Sequence, residues 1–132
     1  MKRTALNKVS KLPISKIQKK IWEHCKRIIR GKYGNTCYTC GKVGLEGSNW
    51  HTGHMIAKAS LGAYLKYDLR LLRPQCYNCN INLGGMGAIF IENMRNREGD
   101  KYVEQILQDR NVTVKAYDHY LMLLDKYENQ EV

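Results

Sequence analysis

The sequence lacks any long apolar run. No segment approaches the length needed to span a bilayer, and the opening residues Met-Lys-Arg-Thr-Ala-Leu-Asn-Lys are too polar for a secretory signal. A cytoplasmic protein with reduced thiols is therefore expected, and no membrane partner. Internal repeats and low-complexity segments are also missing, and there are only two prolines in 132 residues, 43% of them apolar. That balance suits one modest globular domain. The most informative scarcity is of acidic residues at one end. Residues 1–32 hold eleven Lys and Arg against Glu23 alone, whereas the remaining hundred carry eleven of each sign. The net charge of +10 is thus concentrated in the first quarter, which points to a polyanionic partner.

Against these absences stand two short cysteine pairs, Cys37-Tyr-Thr-Cys40 and Cys76-Tyr-Asn-Cys79. Two thiolates two residues apart reach one ion from a tight turn, and two such turns supply the four tetrahedral sulfurs of a structural zinc. A redox Cys-x-x-Cys needs only one pair, and nothing here suggests export and disulfides. Gly41 and Gly44 lie where the first turn must wrap a metal. Cys25 stands apart from the set, among apolar neighbours at helical spacing, and reads as a small buried hydrophobe. A zinc staple suits a core of this size.

Along the chain, residues 1–12 read as a flexible basic arm, and 13–132 as the folded domain. Ile14, Ile17, Ile21, Cys25 and Ile28 recur at helical spacing after Pro13, with Gly31 and Gly34 as the stop, so a helix over about 14–30 is expected. Its opposite side carries Lys16, Lys19, Lys20, Lys26, Arg27 and Arg30, candidates for phosphate contact, with a merely solvated face as the alternative. Trp50–Ala57 and Leu69–Arg73 read as strands, the second stopped by Pro74. Helical capacity resumes near Tyr77, breaks at Gly84, Gly85 and Gly87, and returns over Ala88–Asn96. Asp100 is placed to cap a helix over Tyr102–Arg110. Thr113 is placed to cap a last one, in which Tyr117, Tyr120, Leu121, Leu124 and Tyr127 form a core stripe rather than a base-stacking platform. The expected class is α+β, a small zinc-stapled core with a basic N-terminal helix and additional C-terminal helices.

Trp50-His-Thr-Gly-His-Met-Ile56, Tyr67-Asp-Leu-Arg-Leu-Leu-Arg-Pro-Gln-Cys76 and Tyr77-Asn-Cys-Asn-Ile-Asn-Leu-Gly-Gly85 resemble the phage recombination protein NinG (Rap) family. Strand, strand, helix with a His on the first element and a polar ligand on the helix also resembles the wider HNH, or ββα-metal, nucleases. The resemblance covers about residues 14–95. It implies a DNA endonuclease of phage or prophage origin, in the host cell cytoplasm, acting in recombination on branched or single-strand-containing DNA. A non-catalytic zinc-knuckle DNA-binding accessory protein is the competing reading, with an RNA-binding knuckle protein behind it.

The resemblance implies His54 as general base, a role for which neutral imidazole suits near pH 7, with the ring oriented by a strand carbonyl. It implies Asn80 as a hard amide ligand for magnesium or manganese, against the plain alternative of an Asn capping the helix after the zinc turn. Two departures stand out. Gly53 replaces the metal-binding Asp that precedes the His in many HNH enzymes, which leaves His51 as the nearest substitute ligand. Because 51 and 54 differ by an odd step, a bulge or bend is expected if both are to face the site. Leu71 aligns with the middle Asn of the motif, so a backbone group must orient the base. Asn82 points about 200° away from Asn80 on a helix and is not expected to share its ion. A homodimer joined by the C-terminal helices suits an enzyme that cuts two strands, and a monomer remains equally open.

Overall fold

The computed structural model describes residues 12–132. The expected arm therefore lies outside the described residues, except for Leu12. That residue is docked rather than free: its carbonyl accepts the Tyr117 hydroxyl at 2.8 Å. The order is α1 (Ile14–Tyr33), β1 (His51–His54), a short α2 (Ala63–Lys66), β2 (Leu72–Gln75), α3 (Gly87–Glu98), α4 (Asp100–Asp109) and α5 (Ala116–Glu128). The class is α+β, mostly helical around one two-stranded sheet. Among the described residues no helix is long and apolar enough to cross a membrane.

Helix α1 forms the centre because its apolar stripe is continuous. Ile17, Ile21, Cys25, Ile28 and Ile29 are buried, each large side chain worth about 1.5–3 kcal/mol relative to exposure. Ile14, at the start of the expected stripe, stays largely exposed. The carbonyl of Pro13 accepts the amides of Lys16 and Ile17, so proline starts the helix without breaking it. Gly31 does not end it; the chain leaves helical geometry at Gly34, whose φ of 75° favours glycine. The buried face packs against α5 and both strands. Cys25 meets the expectation of a small core residue, its thiol facing the Tyr67 carbonyl at 3.7 Å and pushed up to about 12 by burial.

The strands pair antiparallel in the register His51↔Gln75, Thr52↔Pro74, Gly53↔Arg73 and His54↔Leu72. Both differ from expectation in extent. Residues Leu69–Leu71 form a 3₁₀ turn, fixed by the Asp68 carboxylate accepting the Arg70 amide at 3.0 Å, and Pro74 lies inside β2 rather than stopping it. A proline is tolerated there because a strand with one partner leaves one edge unpaired. The Pro74 carbonyl also accepts the amide of Tyr38, at 2.8 Å, and so fastens the first cysteine turn to the sheet.

Downstream, Asp100 is the first residue of α4 and not its cap, because Gly99 at φ 98° separates α3 from α4. Helix α5 begins at Ala116, after Lys115, so Thr113 lies too far upstream to cap it. Tyr120, Leu124 and Tyr127 are buried as a core stripe together with Leu123, and the Tyr127 hydroxyl donates to the Tyr67 carbonyl at 2.8 Å. Arg73 is fully buried, which its sequence position gave no sign of. Its guanidinium lies 4.1 Å from the Tyr33 ring, donates to the Leu72 carbonyl at 2.7 Å and meets Glu98 at 3.4 Å, so its charge serves the fold.

Candidate metal centre and adjoining cleft

The first cysteine turn hangs from the end of α1 and the second follows β2 directly, so one sheet edge brings them together. The ligand sulfurs of Cys37, Cys40, Cys76 and Cys79 all lie within 4.8 Å of one another, and Cys40 and Cys76 are 3.8 Å apart. Tetrahedral zinc with Zn–S bonds of about 2.3 Å places its sulfurs about 3.8 Å apart, so the donor set fits the ion; no disulfide joins any of them. Burial opposes ionisation of Cys37, but the Thr39 hydroxyl and neighbouring amides more than offset it and hold that thiol below its usual range. Leu45 is buried with the cluster, and Trp50 and Met86 flank it.

Gln75 couples this centre to the sheet. Its side-chain amide donates to Thr39 Oγ1 at 3.0 Å and to the Gly85 carbonyl at 2.9 Å, while its backbone pairs with His51. The same side chain accounts for Gly53. A Cβ added at 53 falls 1.8 Å from Gln75 Oε1, so the space of the expected acidic residue is filled. Gly53→Ala is expected to displace Gln75 and lower stability by about 1–3 kcal/mol, as overpacking typically does, and Gly53→Asp is expected to do at least as much damage without adding metal affinity. Chemical denaturation and magnesium or manganese titrations of the two variants check this.

His51 and Asn80 are brought together. His51 Nε2–H donates to the Ser48 carbonyl at 2.9 Å, which leaves Nδ1 to accept from the Asn80 side-chain amide at 3.0 Å, and the Tyr77 ring meets His51 edge-on. Asn80 lies not on a regular helix but in a π-helical turn, Asn78–Asn82, that ends before the glycines at 84 and 85. Asn82 donates to the Asn78 side-chain carbonyl at 3.1 Å.

His54 is half-buried on the same strand. No bulge interrupts the register, so strand alternation sends His51 and His54 to opposite faces. The ring stacks on Trp22 of α1, with centroids 5.3 Å apart and planes 12° from parallel, and Nε2–H donates to the Lys66 carbonyl at 2.9 Å. The orienting carbonyl thus comes from the end of α2 and not from a strand. Nδ1 keeps its lone pair. Burial, opposed by the Lys66 carbonyl and aided by the charges of Lys58 and Lys66, holds the imidazole below its usual pKa. Leu71, at the place of the motif's middle Asn, is fully buried, and its carbonyl anchors the amide of Met55 just beyond β1.

Between α1 and β1 opens a cleft of about 340 Å³ whose lining includes Trp22, Lys26, Arg30, Trp50, His51, Thr52 and Asn80. No carboxylate lines it. Residues 1–131 match the family described as Bacteriophage Lambda NinG protein. The chain belongs to the NinG family. No match was found among curated proteins or among solved structures.

The basic face of α1 divides by use. Lys16, Lys19 and Lys20 are exposed to solvent, while Lys26 forms an ion pair with Glu23 at 3.0 Å. Arg27 donates to the carbonyls of Tyr127 and Gln130, at 2.8 and 3.0 Å, so two of its donors hold the end of α5. The helical wheel gave no sign of this, because the acceptors lie about a hundred residues away in sequence. Trp22 and Thr52 belong to the cleft but were not expected there. The helical position of Trp22 beside Lys26, four residues on, was the available signal.

Proposed function

We propose that this NinG-family chain is a metal-dependent DNA endonuclease of HNH type, hydrolysing phosphodiester bonds in phage recombination on branched or single-strand-containing DNA. The observation that carries the reading is the state of His54. With Nε2–H bonded to the Lys66 carbonyl, the neutral ring offers Nδ1 as a proton acceptor, the requirement for a base that activates water. Its lowered pKa keeps it in that form throughout the neutral range.

A hard cation would supply charge neutralisation at the phosphate. His51 Nδ1 and the Asn80 side chain meet at 3.0 Å on the strand face opposite to His54; with the amide turned they would offer a ring nitrogen and an amide oxygen to such a cation, so the phosphate has to span the strand for base and cation to act on it together. Arg30 lines this cleft without a carboxylate beside it, and Lys26 is already paired with Glu23, so a divalent cation would be held there with the substrate phosphate as a further ligand. The zinc cysteines have a separate task. Cys76 follows the partner of His51, and Cys79 precedes Asn80, so the zinc fixes the distance between those two residues.

Cleavage of a synthetic four-way DNA as a function of pH tests the role of His54. The acid limb is expected below the ordinary histidine value of 6.5, because the folded protein must be taken to lower pH before Nδ1 is protonated. A limb above that value contradicts the role. The same lowered pKa makes the unfolded chain the better proton binder below pH 6.5, so this group's contribution to stability declines as pH falls through that region. DNA affinity is expected to depend steeply on salt. Replacing Lys19 and Lys20 by Ala should lower the slope of log K against log salt by about one for each, and an unchanged slope means that these charges are only solvated.

The competing reading, a zinc-knuckle DNA-binding accessory protein, draws its support from Gly53. With that position filled by Gln75 and no acidic group in the cleft, a site without cleavage is chemically coherent. Tight binding of branched DNA with no cutting under magnesium or manganese favours it.

A further inference from the structure

Three of the seven arginines among the described residues are neutralised by carboxylates. Arg70 bonds Asp68 and Asp109, Arg95 meets Asp100 and Glu104, and buried Arg73 meets Glu98. Arg30, like Arg27, Arg97 and Arg110, forms no ion pair among the described residues, but it is the arginine that lines the cleft, where no acidic residue stands. It is nevertheless held in place. Its Nη2 donates to the Trp50 carbonyl at 2.6 Å, its guanidinium carbon lies 4.5 Å from the Trp50 ring centre, and the Trp50 indole is itself tied to the Gly34 carbonyl at 3.2 Å. A guanidinium fixed by a carbonyl and an aromatic ring has already lost its rotamer freedom, so the cost of ordering it on binding an anion is small.

Two polar atoms beside this cleft are buried and unpartnered, Arg30 Nε and Thr52 Oγ1. Strand alternation places Thr52 on the face of His54, whose ring stacks on Trp22 of α1, and opposite to His51. Buried polar atoms cost free energy unless they are satisfied, and a donor plus a hydroxyl without acceptors on neighbouring elements define what is missing. An anion with two oxygens satisfies both. Lys26, paired with Glu23, lines the same cleft, as do His51 and Asn80.

We propose that this cleft is the seat of one phosphodiester group of the nucleic acid. Arg30 takes one non-bridging oxygen and Thr52 the other, and the backbone then runs along the cleft that His51 and Asn80 also line. The assignment rests on the nuclease reading for its choice of a diester over a free phosphate, but the seat itself stands on Arg30 and Thr52. Arg30 and Thr52 are positioning residues in this scheme, acting on the phosphate and exchanging no proton with it.

The test is a titration of the isotopically labelled, zinc-loaded full chain, observed by NMR at the arginine Nε–Hε and backbone amide resonances. The probes are dithymidine monophosphate, inorganic phosphate and thymidine without phosphate. The expected result is a saturable shift of Arg30 Nε–Hε and of the Thr52 amide with the dinucleotide, none with thymidine, and affinity lowered about tenfold or more in Arg30→Lys and in Thr52→Val. Arg30→Lys keeps the charge and loses the fork, and the wild-type titration stands even if either variant is poorly folded. The proposal is overturned if the dinucleotide leaves Arg30 unshifted, or if inorganic phosphate alone binds there. Binding at Arg30 by a protein that cuts no DNA upholds the seat and rejects the nuclease. Cleavage of DNA with Arg30 unshifted rejects the seat and leaves the nuclease standing.

Discussion

His54→Ala is expected to lower the single-turnover rate of DNA cleavage by about 10²–10⁴-fold, the usual contribution of a positioned general base, while DNA affinity stays within about twofold. The reason for the split is geometric. The ring stacks on Trp22 and bonds to a backbone carbonyl, and it is absent from the lining of the cleft that carries the cations, so its removal deletes the lone pair on Nδ1 without touching a phosphate contact. Some stability is lost as well, since Trp22 forfeits its stacking partner, about 0.5–1.5 kcal/mol for an aromatic pair. His54→Gln separates the two effects, because it keeps bulk and a donor toward Lys66 but has no basic nitrogen. Equal activity in His54→Gln and the parent protein contradicts the base.

Removing the zinc is expected to have the largest effect on stability. Structural zinc sites contribute about 10–16 kcal/mol at neutral pH, as much as or more than the about 5–15 kcal/mol that holds a typical domain folded. Here the four sulfurs replace the packing that a second core would give: the cluster has Leu45 as its buried aliphatic neighbour, and the chain between Gly34 and Gly47 holds no helix or strand. Either a strong chelator or Cys79→Ser should therefore abolish the cooperative thermal transition, or shift it far down, and scatter His51 from Asn80. Native mass spectrometry should find one zinc per chain in the parent protein. An unchanged melting curve after complete removal of zinc contradicts the scaffold role.

The four-cysteine cluster was legible in the sequence because Cys-x₂-Cys spacing is itself the local geometry of a knuckle, so no long-range information was needed. Helix α1 was legible for the same reason: its period is local, and five of its apolar positions are buried. The strands were found but misplaced at their ends, since Pro74 is compatible with a strand that has one free edge and nothing local announces which strands are edges. Arg27 and Arg73 escaped for a related reason. A cation looks alike in sequence whether its acceptors are phosphates, as expected for Arg27, or the carbonyls at the end of α5. Gly53 was read as a missing ligand, whereas the structure gives it a positive reason, the Gln75 side chain lying where a Cβ would be. The pairing of His51 with Asn80 joins residues 29 apart, which no local pattern announces.

The central claim divides the metals by task, zinc for scaffold and a hard cation for cleavage, and one measurement addresses it directly. Zinc-loaded protein, with its zinc content quantified before and after, is mixed with four-way and flap DNA in the absence of other divalent ions and then given magnesium or manganese. The account predicts that DNA binds at once, that strand scission starts only on addition of the second metal, and that the zinc count stays at one throughout. Scission by zinc alone, or no scission of any substrate under either cation, contradicts it.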